Sequence, residues 1–222
     1  MLATALLVSS CSMTVKIGAH PQAGNLNSLK LGESTKADVV LALGEPRGSG
    51  VARFAVDNKI RHIWFYEYIE SDGTKAHFEI LLVFMQDNKY DGHLWFSSFS
   101  KYKKQGGDFF TPSNEATGGF FPATDPLEVN FKRDDTTEEE VISKLGTPTG
   151  TGKALIPPGH RAMDVLEYEK IGVKLRNKVE KQDNIQYMGM DMNMNVGIVL
   201  IHEGKFEGFM WFTSESVKGQ LR

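Results

Sequence analysis

The sequence predicts an α+β protein of two similar lobes, each with short helices packed on a three-stranded antiparallel sheet. Three observations lead there. One stretch occurs twice: Thr35, Val39, Leu43, Gly44 and Pro46 recur as Thr137, Val141, Leu145, Gly146 and Pro148, at a constant offset of 137 − 35 = 102. A later block, Lys89 to Phe96, recurs as Lys205 to Phe212, at an offset of 205 − 89 = 116. The second copy therefore carries a net insertion of 116 − 102 = 14 residues between the blocks. Runs of aromatic and β-branched residues follow each first block and are separated by turn dipeptides.

The boundaries follow from the repeat. A leader with a lipidation motif (1–11) and a tether (12–30) precede a first repeat (31–100). A spacer rich in Gly, Phe and Pro (101–130) then leads to a second repeat (131–216) and a tail (217–222).

Within each repeat, Thr35-x-x-Asp38 and Thr137-x-x-Glu140 read as capping boxes. The threonine oxygen accepts a backbone N–H three residues on, and the acid reaches back to the cap. Val39, Val40 and Leu43, or Val141, Ile142 and Leu145, form one apolar stripe on a short helix. Gly44 or Gly146 and then Pro46 or Pro148 end it. Helices this short need a sheet to dock on.

Three strands follow in the first repeat, Ile60 to Ile69, Ala76 to Met85 and Lys89 to Ser97, with turns at Asp72-Gly73 and Asp87-Asn88. Alternation assigns Phe78, Ile80, Leu82, Phe84, Tyr90, Leu94 and Phe96 to the face that takes the helix. In the second repeat Met163 to Ile171 is the first strand. Lys174 to Asn184 reads as a projecting hairpin, and Met194, Val196, Ile198, Leu200, Phe206, Met210 and Phe212 repeat the core face.

The opposite face is more apolar than a solvated one should be, because Leu81, Val83, Trp95, Val199, Phe209 and Trp211 are all assigned there. Aromatic anchors of this kind dominate protein interfaces, so these six are the candidate protein-binding face. The competing account is that these faces bury their aromatics inside the monomer. Phe109, Phe110, Phe120 and Phe121 in the spacer are too apolar for a solvated linker, and either plug the seam between lobes or meet a partner.

The first residues are an apolar run, then Val8-Ser9-Ser10 and the only cysteine, Cys11. This resembles the lipobox of bacterial lipoproteins, with Cys11 the lipidated residue. By the general habit of such proteins, Ser12 after it points to the outer membrane. The expectation is a lipid-anchored protein at its periplasmic face.

Composition excludes several classes. A net charge of −3 with no basic cluster argues against nucleic acid. A lone cysteine leaves no disulfide framework and, once lipidated, no thiol for catalysis. No apolar run reaches the length of a membrane-spanning helix. Thr149-Gly150-Thr151-Gly152 lacks the phosphate-loop pattern and follows a helix rather than a strand.

Met188, Met190 and Met192 alternate with polar residues, and thioethers select soft metals. Their parity continues that of Val196 and Ile198, which favours a strand lining a core. His62, His77 and His93 lie on successive strands near Glu79, but their parities do not agree on one face, so no zinc site is expected. No cofactor, catalytic residue or small-molecule substrate is expected.

The pattern Gly32-x-x-Thr35-x-x-Asp38-Val39-x-x-x-Leu43-Gly44-x-Pro46, then Trp64-x-Tyr66 and Gly92-x-x-Trp95-Phe96, resembles the SmpA/OmlA/BamE family of small outer-membrane lipoproteins. The resemblance implies short helices on a three-stranded antiparallel sheet and a non-enzymatic role in envelope assembly, with an envelope protein as partner. As a tandem, the chain also resembles the β-lactamase inhibitory protein family, which implies a protein inhibitor as the alternative. Soft-metal binding through the methionines is a second alternative.

Overall fold

The computed structural model describes residues 14–54, 57–71, 76–100, 131–182 and 185–221, and of Val15, 170–194 and 211–221 the backbone alone. In chain order the elements are β1 (Val15–Gly18), a 3-10 turn (Ala23–Ser28), α1 (Lys36–Leu43), β2 (Gly48–Arg53), β3 (Ile60–Ser71), β4 (Ala76–Gln86) and β5 (Lys89–Ser97). After the spacer come α2 (Glu138–Leu145), β6 (Gly150–Ile156), β7 (Arg161–Gln182), β8 (Ile185–His202) and β9 (Lys205–Leu221).

Both helices start and stop as their sequences dictate. The Thr35 backbone N–H donates to Asp38 Oδ2 at 2.8 Å, and that of Asp38 donates back to Thr35 Oγ1 at 3.4 Å. Thr137 and Glu140 repeat the exchange at 2.8 and 3.3 Å. Gly44 and Gly146 then take φ of 85° and 83°, a conformation that costs glycine little, and each donates its N–H to the carbonyl four residues back at 2.8 Å. Each cap is also laced to the last hairpin of its half. Tyr90 N–H donates to Ser34 O, and Phe206 N–H to Thr136 O, both at 2.8 Å.

The correspondence stops at this local level. All nine described strands belong to one antiparallel sheet, in the order β1-β3-β4-β5-β6-β7-β8-β9, with β2 also on β3. β1 pairs with the end of β3 at Tyr68–Ser71 and β2 with its start at Ile60–Phe65. The joint between the halves is β5 against β6, from His93 opposite Leu155 to Ser97 opposite Thr151.

This continuous sheet overturns the expectation of two lobes with separate three-stranded sheets. It also overturns the resemblance to the SmpA/OmlA/BamE family and to the β-lactamase inhibitory protein as a pair of lobes. The physical reason is edge satisfaction. A three-stranded sheet ending at β5 leaves a row of unpaired N–H and C=O groups, and β6 pairs them. Gly150 and Gly152, weighed in the sequence only as part of a phosphate loop, are strand residues. The segment read as a tether also joins the fold, contributing β1 and, through buried Leu26, part of the core under α1.

The sheet is creased along β6. Cα atoms of β5 and β7 come within 8 Å of each other although β6 lies between them. In a flat sheet two strand spacings amount to roughly 9.5 Å. Glycine makes the crease: a Cβ on Gly152 would overlap the Trp95 carbonyl, and one on Gly150 would overlap the Ser97 carbonyl and the Glu167 carboxyl.

Both helices lie on the same sheet face. Val39 and Leu43 of α1 pack on Tyr66, Leu81, Val83, Met85 and Tyr90. Val141 and Leu145 of α2 pack on Leu166, Tyr168, Val199, Ile201 and Phe206. The other face carries a third cluster that runs across the crease, with Phe78, Phe84, Leu94 and Phe96 beside Val165, Val196, Ile198 and Leu200. Apart from Tyr90 and Phe206, which pack under the helices beyond a register shift in each hairpin, the faces are thus the reverse of those that alternation assigned. A strand apolar on both sides has no polar face to orient it, so a period of two identifies pairs of residues but not which side meets the helix.

Candidate functional site

The two helices, so alike in capping, differ on the side turned away from the sheet. At corresponding positions α2 exposes Glu139 and Ser143, whereas α1 exposes Ala37 and Leu41. Leu41 is 88% exposed. It lines an open cleft of about 450 Å³ with Leu29, Ala42, Lys30, Glu33 and Asp38. A surface helix normally carries polar residues on its outer side, and α1 is apolar nearly all round.

A second feature lies in the crease. Glu167 sits directly opposite Gly150 on the neighbouring strand and is 0% exposed. Both of its carboxyl oxygens and Oε2 of Glu169 are buried without a hydrogen-bond donor. Burial first, then the adjoining Glu169 carboxylate, pushes the Glu167 carboxyl well above the usual range. Burial raises Glu169 to about 7, against the lowering effect of its hydrogen bond with Glu167. Two carboxylates offer only acceptors to each other, but one shared proton turns one of them into a donor. Thr149 ties down the backbone here: its hydroxyl donates to Glu167 O at 3.0 Å and accepts the Glu169 N–H at 3.0 Å.

The remaining ionisable clusters are internally satisfied. Arg61, 2% exposed, donates to Asp57 at 2.6 and 3.0 Å and to Asp91 at 2.5 Å, and lies over the Phe54 ring. Its hydrogen bonds hold the Asp57 carboxyl down at about 2. His160 reaches Asp91 from the turn before β7, at 2.9 Å to the carbonyl and 3.0 Å to the carboxylate. His20 meets Glu79 at 2.9 Å, and the Trp95 indole N–H donates to the same carboxylate at 3.0 Å. Tyr90 and His93 are hydrogen-bonded at 2.5 Å, and burial lowers His93 to about 4.

The residues singled out by sequence fall in several places. Leu81 and Val83 lie fully buried beneath α1, and Val199 beneath α2, so they are core rather than an outer surface. Trp95 and Phe209 are half-buried against the same two clusters. Burial inside the monomer is therefore what the structure gives for Leu81, Val83 and Val199. Cys11, Phe109, Phe110, Phe120 and Phe121 lie outside the described residues, as does the side chain of Trp211.

Met188, Met190 and Met192 fall on β8 opposite Val179, Leu175 and Val173, with their side chains likewise outside the description. His62, His77 and His93 do share one face by register, but they stand opposite Met85, Glu70 and Val83 and are spread along the strands. Among the described residues no group of three or more His, Cys, Asp or Glu could hold a metal ion. No described helix is long and apolar enough to cross a membrane.

Sequence reasoning missed Leu41 and the Glu167–Glu169 pair. Comparing the outer positions of the two helices, Leu41 against Ser143, was a signal for the first. The second was readable as carboxyls at i and i+2, in step with Val165 on an apolar strand.

No protein-family model, curated protein or solved structure matches this chain.

Proposed function

We propose that this chain is a lipid-anchored, non-enzymatic envelope protein that docks another protein through the outer side of α1, at the periplasmic face of the outer membrane. The observation that carries the reading is the contrast between Leu41 and Ser143. Two helices with the same cap, stop and docking differ where only solvent or a partner can act on them. A leucine left in water forgoes roughly 1.5–3 kcal/mol that burial against a partner would recover. The cleft beside Leu41 offers apolar walls from Leu29 and Ala42 and a charged rim from Lys30, Glu33 and Asp38. That is the pattern of an apolar anchor within a polar rim. The anchor to the membrane rests on Cys11 and the small residues before it.

A photo-crosslinking residue placed at Leu41, with Ser143 as control, tests the docking surface in cells. The expected result is one crosslinked protein from Leu41 and none from Ser143, abolished by Ala37→Glu. Equal products at both positions, or none at either, contradict it. Metabolic labelling with a palmitate analogue tests the anchor separately, with label expected on the wild type and absent from Cys11→Ala.

A further inference from the structure

The buried carboxyl pair in the crease has no part in the docking surface, yet its position is demanding. Glu167 and Glu169 stand two apart on β7, on the face where the sheet folds upon itself. The groups facing them across the neighbouring strands are Gly150 on β6 and Ile198 and Val196 on β8. Further across the crease, β5 contributes Leu94 and Phe96, and β4 contributes Phe78. None of these can titrate. The Thr149 hydroxyl beside them is already engaged with the backbone. Glu67 on β3 shares the face but is paired with Arg47 at 3.4 Å. Among the described residues no cation acts on either carboxyl.

We propose that Glu167 and Glu169 form a proton-operated latch that holds the crease along β6 shut. With one proton shared between them, one carboxyl donates to the other and the pair is satisfied inside the apolar fold. When both ionise, two like charges adjoin with no counter-charge among the described residues and with Glu167 cut off from solvent, and the cheapest relief is hydration through separation of β6 from β7. The raised titration range of both groups places that change near neutral pH rather than in acid. The latch opens on the alkaline side and exposes the apolar face around Phe96, Val165 and Ile198.

Hydrogen exchange read by mass spectrometry on the full chain, at pH 6 and pH 8.5 and corrected for intrinsic rates, tests this. Protection in peptides covering 150–156 and 163–169 is expected to fall about tenfold or more at the higher pH, the equivalent of at least one pKa unit. Peptides from β3 and β4 serve as the reference. The Glu167→Gln, Glu169→Gln double variant keeps a donor in the pair at every pH and is expected to show no such fall. Glu169→Gln alone is expected to hold protection at pH 8.5 above the wild type. Equal wild-type protection at both pH values, or a fall that persists in the double variant, overturns the proposal. So does full restoration at pH 8.5 by added calcium, which makes the pair a cation site instead.

Discussion

The carboxyl of Glu167 occupies the space that a side chain on Gly150 would fill. The two residues are direct partners across β6 and β7, and one is glycine so that the other can be a buried acid. The crease of the sheet and the burial of the pair are thus one arrangement.

Gly150→Ala should therefore destabilise the chain by about 1–3 kcal/mol, the usual cost of overpacking a core. The added methyl meets the Ser97 carbonyl as well as the carboxyl, and backbone cannot step aside. For a chain of this size that is a fall of roughly 2–4 °C in melting temperature per kcal/mol. Gly159→Ala, where a Cβ meets open space, is the control and should change little.

Stability should fall as pH rises through neutrality. Folding raises both carboxyls, so this pair holds more protons in the folded chain than in the unfolded one from about pH 4.3 upward, while the lowered His93 works the other way up to about pH 6.5. The contribution of the protonated pair is full below about pH 4.3 and is lost as pH rises through about 7 for Glu169 and through the raised range of Glu167. Unfolding free energies from urea titrations at pH 6 and pH 8.5, each taken relative to the double glutamine variant so that His93 cancels, should differ by at least about 1 kcal/mol, the equivalent of one pKa unit.

Neighbouring leucines on α1 should behave oppositely. Leu43→Ala empties a packed site against Tyr66 and Leu81 and should cost about 2–5 kcal/mol. Leu41→Ser should stay within about 0.5 kcal/mol of the wild type, because the side chain is exposed. Chemical denaturation of the two variants decides it.

Arg61→Ala should be among the costliest single changes. It leaves Asp57 and Asp91 facing each other around a buried vacancy, and loss of one partner of a buried pair costs about 3–5 kcal/mol. Arg61→Met, which keeps the packing on Phe54, should recover only the packing part of that cost, since both carboxylates still lose their partner. Thermal melts of both variants check this.

Much of the local structure was legible in the chain. The capping boxes, the glycine stops, the meander of β3 to β5 and the Asp87-Asn88 turn, with φ of 51° and 62°, all follow from side-chain chemistry near in sequence. The joining of the halves was not, because it is made by a glycine-rich strand that looks like a loop. Nor was the helix-bearing face, because Phe78 and Leu81 are equally apolar and parity alone cannot rank them. Glu167 hid for a related reason. A glutamate in a strand ordinarily points to water, and only the crease reveals that this one does not.

The crease, the buried pair and the placing of both helices on one face all depend on β5 pairing with β6. Ser97 and Thr151 are direct partners in that pairing, small residues on the same face. Ser97→Cys combined with Thr151→Cys, in a Cys11→Ala background that removes the sole native cysteine, tests it directly. Opposed residues in an antiparallel pair have Cα atoms about 4.5–5.5 Å apart, within reach of a disulfide. Mild oxidation should yield an intramolecular disulfide, read as a loss of two hydrogens by intact mass. Two free thiols in the folded, oxidised monomer would contradict the continuous sheet.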